Sequence, residues 1–247
     1  MAGVSLVEFD DGLRVFASSG IEVRFLHEEI FGSGCYAFDL PARPFVIDVG
    51  ANIGMFSLFV KLHRPDATIL AFEPVPETAA VFRRNIELHR LSAVDLREIA
   101  LGSQPEQDVP FTYYPALPGN STLYPEQKGQ AKAALARLYS TRLAERLYQG
   151  RRATVCVQRL SAYLSEDRPV DLLKVDVEGA ELDVLTGIAD RHWPLIRRVS
   201  LEVYDQDGRL DRICELLGAR GLPAEARIAP MTDPAAGDYL VHAVRPG

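Results

Sequence analysis

The chain has 247 residues, 47% hydrophobic and 25% charged, which suits a single α/β domain over 1–247 with a sizeable core. Its net charge of -7 argues against nucleic acid as a partner, because a nucleic-acid binder carries a basic face. Three dispersed cysteines, no signal-peptide pattern at the start and no apolar run near the ~20 residues of a membrane helix lead to the expectation of a cytoplasmic protein without membrane contact.

Residues 1–43 read as an N-terminal cap. In it, "VEFDDGLRVFA" predicts a hairpin turning at Asp11-Gly12, and "FLHEEIFG" (25–32) a short helical piece ending at Gly32. "FVIDVG" has the unbroken apolar character of a strand buried on both faces. A helix follows from Asn52 to about Leu62, with Phe56, Phe59 and Val60 inward. "ATILAFEP" is a second strand stopped by Pro74, the segment from Pro76 a second helix, and "AVDLREIAL" a third strand. Strands alternating with helices at this spacing predict a doubly wound, mostly parallel sheet.

Residues 105–160 break the rhythm. "DVPFTYY" and "TVCVQRL" read as antiparallel partners, separated by the loop "PALPGNSTLYPEQKG" and one long helix, "QAKAALARLYSTRLAERLYQ". This is an inserted strand-loop-helix lid at the sheet edge, not a second domain. The rhythm resumes with "LLKVDVEGAELDVL" and "IRRVSLEVYD", then a helix, "GRLDRICELLGARG", and strands near 224–228 and 238–244.

The turn after "FVID" is a glycine-rich strand-to-helix junction. A dinucleotide cradle reads G-x-G-x-x-G; counted from Gly50, Asn52 and Met55 stand where glycines belong. A nucleoside without a pyrophosphate does not require that close approach. Glu73 ends the next strand, where a carboxylate can accept two hydrogen bonds from a ribose diol. Ala100 and Leu101, ending the third strand, supply an apolar slot for a base.

"VIDVGANIGMFSLF", "AFEPVP", "IALGS", "PGNSTLYP" and "LLKVDVEGAELDVL" together resemble the FkbM family of class I methyltransferases over roughly residues 25–205. The resemblance implies a Rossmann-like, seven-stranded, mostly parallel sheet and S-adenosylmethionine as cofactor, held by Asp48, Gly50, Ala51, Asn52, Gly54, Glu73, Ala100 and Leu101. Asp48 suits the cationic sulfonium and ammonium of that cofactor. The implied reaction is O-methylation of a small hydroxylated natural product, sugar, or polyketide or peptide intermediate, free or bound to a carrier protein.

Asp48, Glu73, Asp176 and Glu202 close four different strands at one rim of the sheet, where ligands of open α/β sheets bind. Removing a proton from an alcohol needs a base or a metal ion. Asp176 is the first candidate, with Glu178 and Glu202 beside it; Asp176 and Glu202 are also the candidate ligands of a divalent metal such as Mg²⁺. The competing role for Asp176 is to cap the helix that follows. Lys174 shares its sheet face, Glu181 and Asp183 read as helix-face charges, and His27 as an ordinary capping histidine. Asn120 and Ser121 are the candidate substrate contacts. Arg137, Arg142 and Arg146 around Tyr139 suit either an acidic partner or a solvated face. Two alternatives stay open on these residues: an NAD-dependent oxidoreductase on the same kind of sheet, and a noncatalytic S-adenosylmethionine-binding scaffold.

Overall fold

The computed structural model describes residues 3–232 and 237–246. The chain opens with an antiparallel hairpin, β1 (Ser5–Glu8) and β2 (Arg14–Ala17), turned at Gly12 with φ 83°. Next comes α1 (Gly20–His27), which runs on into a π-helical turn, Glu28–Gly32. This helix starts five residues earlier than "FLHEEIFG" suggested, because the Ser19 hydroxyl accepts the Glu22 N–H and caps it.

The alternating unit follows as β3 (Phe45–Val49), α2 (Met55–His63), β4 (Thr68–Phe72), α3 (Pro76–Leu88) and β5 (Val94–Arg97). The insertion holds β6 (Ala100–Leu101), β7 (Glu106–Tyr113), α4 (Gly129–Leu138), α5 (Thr141–Leu147) and β8 (Arg151–Gln158). The chain closes with β9 (Leu172–Val175), α6 (Glu181–Thr186), β10 (Arg198–Tyr204), α7 (Arg209–Ala219), β11 (Ala224–Ile228) and β12 (Asp238–Val244).

Seven strands form the central sheet in the order β11-β12-β10-β9-β3-β4-β5. From β10 to β5 the strands are parallel, and β12 runs antiparallel to both its neighbours. The chain builds outward from β3 through β4 to β5, then returns to the other side of β3 with β9 and β10. That reversal opens a crevice at the carboxyl ends of β3 and β9.

The apolar run of β3 has the consequence expected of it. Phe45, Ile47 and Val49 join one core with Leu173, Leu185 and Leu217, whereas Val46 joins the other core with Phe56 and Phe82. Each large side chain buried this way contributes about 1.5–3 kcal/mol.

Two sequence expectations need correction. "AVDLREIAL" is not one strand. β5 ends at Arg97, where its carbonyl accepts the Glu73 N–H. Ala100 and Leu101 then pair in parallel with Val157 and Gln158, in a separate sheet of order β6-β8-β7. The long helix of the insertion is also two, because Ser140 adopts an extended conformation and its hydroxyl accepts the Leu143 N–H, starting α5 afresh. Among the described residues no helix is long and apolar enough to cross a membrane.

Candidate active site

The crevice is a cavity of about 1130 Å³, its open mouth included. Its floor comes from the ends of β3, β4, β9 and β10. Its roof comes from α1, the π-helical turn and the 118–123 loop.

The floor turns on Gly50. At φ 74°, a Cβ built there would lie 1.7 Å from the Asp176 carbonyl oxygen, so only glycine lets β3 and β9 end side by side. The Gly50 and Ala51 N–H groups both donate to the Phe72 carbonyl, at 3.0 and 2.9 Å. Asn52 takes φ 49° and donates its backbone N–H to Glu73 Oε2 at 3.0 Å, while Val75 N–H donates to Oε1 at 2.9 Å. Gly50, Ala51, Asn52 and Glu73 all line the cavity, and Ala100 and Leu101 form an apolar wall with Ile99 and Pro74. Burial pushes the Glu73 carboxyl up to about 7.

Asp48 and Gly54 do not line the cavity. A Cβ at Gly54 would meet the Phe82 ring at 2.2 Å, so this glycine seats α2 against α3. Asp48 is fully buried; its Oδ2 accepts the Ser57 hydroxyl at 2.7 Å and its Oδ1 faces Lys174 Nζ at 3.5 Å. Its reach into the site therefore runs through Lys174, not through contact with a ligand.

Lys174 donates to the Gly50 carbonyl at 3.0 Å and pairs with Asp176 Oδ2 at 3.2 Å. Opposing carboxylates outweigh its burial and raise its pKa. Asp176 does not cap the following helix. That helix begins at Ala180 without a side-chain cap, and Glu181 Oε1 accepts the Gly179 N–H at 2.8 Å instead. Glu181 is thus a buried structural acid paired with Arg209 at 3.8 Å, not a helix-face charge. Asp183 accepts the Tyr124 hydroxyl. Glu178, at φ 57°, forms an ion pair with Lys128 of the insertion.

Glu202 lines the same end of the cavity, and burial, reinforced by the charge of Asp176, raises its carboxyl well above the usual range. No group of three or more His, Cys, Asp or Glu among the described residues is arranged to hold a metal ion. At the conditional Asp176–Glu202 metal pair, a divalent cation would compete with the Lys174 ammonium already against Asp176 Oδ2, and Lys128 is paired with the neighbouring Glu178.

Asn120 and Ser121 do reach the cavity. The Tyr148 hydroxyl donates to Asn120 Oδ1 at 2.9 Å, and the Tyr114 N–H donates to Ser121 Oγ at 3.1 Å, which fixes both. The Gly119 N–H donates to Glu22, tying this loop to α1. His27 is structural: its ring stacks on Phe9 at 3.9 Å and meets Asp11 at 2.8 Å.

Glu22, Glu29 and Tyr36 were missed by sequence reasoning. All three line the cavity, and burial pushes the Glu22 and Glu29 carboxyls up to about 8. Residues 22, 25, 26, 29 and 30 share one face at helical spacing, which marks a common face without saying what it meets.

A nucleoside without phosphates fits this donor set. Each Glu73 oxygen accepts a single backbone N–H and keeps a lone pair for a diol. The Asn52 side-chain oxygen is buried without a partner among the described residues.

Comparison with known proteins agrees. A family model described as Methyltransferase FkbM domain matches residues 48–222. Methyltransferase 1 of Beauveria bassiana is 39% identical over 251 residues, covering 99% of this chain and 100% of the relative. The 31-O-demethyl-FK506 methyltransferase FkbM of Streptomyces tacrolimicus is 34% identical over 245 residues, covering 92% of each. A crystal structure of methyltransferase FkbM from Methylobacillus flagellatus shares the fold at a TM-score of 0.58 and 14% identity. It covers 88% of this chain, which spans 47% of that longer one. With the family model spanning 48–222 and relatives 39% and 34% identical over nearly the whole chain, the chain belongs to the FkbM methyltransferases and is an S-adenosylmethionine-dependent enzyme.

Proposed function

We propose that the enzyme methylates a hydroxyl group of a small natural product, with Asp176 as general base. When bound, S-adenosylmethionine supplies an electrophilic methyl group. The chain's own residues do the rest. Glu73 takes the ribose hydroxyls, and Ala100 and Leu101 lie along the base. Asn120 and Ser121 offer hydrogen bonds to the acceptor from the opposite wall. Holding an acceptor oxygen in line for displacement is where such a site gains most of its rate.

One observation carries the reading. Asp176 lies in the cavity wall beside Gly50, is held by Lys174 through Oδ2, and is released from helix capping by Glu181. Its second oxygen is left to accept the acceptor's proton. The Streptomyces tacrolimicus relative, whose name specifies an O-demethyl substrate, supports oxygen as the methylated atom.

The test is to supply S-adenosylmethionine carrying a ¹³C methyl group together with a panel of hydroxylated natural products. The expected product carries its label as a methoxy carbon by NMR. A label found only on nitrogen, sulfur or carbon would overturn the assignment to oxygen.

A further inference from the structure

The methyl-transfer reading leaves the outer end of the α4–α5 hairpin without a task. Leu138 and Tyr139, at the corner where α4 gives way to α5, are 72% and 70% exposed, the highest values among the large apolar side chains described. Leu138 follows the half-buried Ala131, Ala134 and Leu135 on one helical stripe and continues it past the point where the fold covers it. Apolar surface held in water this way is recovered when something covers it.

Charge is concentrated on the same hairpin. From 129 to 149 four basic residues, Lys132, Arg137, Arg142 and Arg146, all exposed, stand against one acid, Glu145, in a chain of net charge -7. Among the described residues none of the four is in an ion pair, whereas Lys128 and Arg151, which flank them, pair with Glu178 and Glu77. The base of the hairpin is held at the cavity, where Lys128 meets Glu178 and the Tyr148 hydroxyl donates to Asn120. With 10 residues, α4 reaches about 15 Å from there.

We propose that the corner of this hairpin docks on an anionic lipid surface. Leu138 and Tyr139 enter the headgroup layer, Arg137 and Arg142 beside them meet lipid phosphates, and Lys132 and Arg146 add attraction from further back. Basic clusters of this size on an amphipathic helix are drawn to such surfaces. Acids more than a Debye length from the lipid, about 8 Å, oppose this little. A protruding apolar pair would need a matching socket on a protein partner, whereas a headgroup layer yields to it. A nucleic acid would engage the basic groups and leave Leu138 in water. The lack, among the described residues, of a helix long and apolar enough to cross a membrane bears on spanning, not on contact with a surface.

Sedimentation of the full chain with vesicles tests it. Vesicles of equal parts phosphatidylglycerol and phosphatidylcholine are compared with pure phosphatidylcholine, at about 0.15 M and about 1 M salt. The expected result is at least about tenfold tighter binding to the anionic vesicles at the lower salt, largely lost at the higher. Arg137→Gln and Arg142→Gln should each weaken it by about fivefold. Leu138→Ser combined with Tyr139→Ser should weaken it by about tenfold, with S-adenosylhomocysteine affinity unchanged as the sign of an intact fold. In a Tyr139→Trp variant, fluorescence should move to shorter wavelength when anionic vesicles are added; the natural Trp193 is buried and serves as the unresponsive reference.

Equal binding to the two kinds of vesicle overturns the proposal. So does anionic binding that survives the Leu138 and Tyr139 substitutions in full, which leaves a contact of charge alone. Polyglutamate or a DNA duplex that binds as tightly as the anionic vesicles also overturns it, and makes the partner a soluble acidic protein or a nucleic acid. None of the substituted side chains lines the cavity, so every outcome leaves the methyltransferase reading where it stands.

Discussion

Floor and roof of the cavity are built on different terms. At the floor, β3 and β9 end so close together that Gly50 touches the backbone of Asp176, and beneath it Asp48 accepts the Ser57 hydroxyl and faces the Lys174 ammonium. In the roof, α1 meets the 118–121 loop through the Gly119-to-Glu22 hydrogen bond, and the Glu29 side chain has no hydrogen-bond partner among the described residues. A floor assembled from backbone contacts fixes where the reaction takes place. A roof of buried acids is left to respond to what binds.

The largest effect should come from breaking the floor. Gly50→Ala puts a methyl group 1.7 Å from a carbonyl oxygen at a left-handed backbone position, so strand ends must part. A loss of about 3–5 kcal/mol in urea unfolding, or no soluble protein, is expected. Near-normal stability would mean that β3 and β9 are not locked in this way.

Asp176→Asn tests whether the floor also does the chemistry. Turnover should fall by about 10²-fold or more, with S-adenosylhomocysteine affinity within roughly threefold of wild type. Equal losses in both would make Asp176 a binding residue only.

The roof should show itself through pH. Glu22 and Glu29 rise from 4.5 to about 8 on folding, so the empty folded protein retains protons that the unfolded chain has released. Their contribution is fully present below the unfolded value of 4.5 and is lost as pH climbs through about 8. Each pK unit is worth about 1.4 kcal/mol. Glu29→Gln should therefore match wild type at low pH and exceed it in urea stability above pH ~8. A difference that is flat with pH would show that Glu29 is not buried unpaired.

Glu73→Gln belongs to the floor again, with a milder expectation. Its new amide would face the Asn52 or Val75 N–H, donor against donor. Cofactor affinity by calorimetry should drop by about tenfold. Smallest of all, Lys128→Met removes one of two ties between the insertion and Glu178, leaving that of the Thr122 hydroxyl, and should change S-adenosylhomocysteine affinity by no more than about fivefold, with faster release in stopped flow.

Much of the floor could be read in the sequence because it follows from local rules. The apolar run 45–49, the glycines after it and Pro74 closing the next strand each have a backbone reason to exist, and the doubly wound, mostly parallel sheet followed. The roles of Asp48 and Glu181 were not legible, because they depend on Ser57, Lys174 and Arg209 arriving from other elements. Glu22 and Glu29 were hidden for another reason. A helical face of mixed acids and apolar residues looks the same whether it meets water or a cavity. Ala100 and Leu101 were read correctly as wall residues but attached to the wrong sheet, since nothing local marks the break at Glu98.

That break has a wider consequence. The apolar wall at 100–101 is one edge of the insertion's own sheet, paired to β8, and Gly102 N–H continues the ladder to Gln158. The 118–123 loop hangs from β7 of the same sheet through the Thr112–Thr122 bridge. Under the proposed function, cofactor grip and acceptor choice are mechanically joined. A chimaera that exchanges 105–160 between relatives to change what is methylated would also retune how the methyl donor is held.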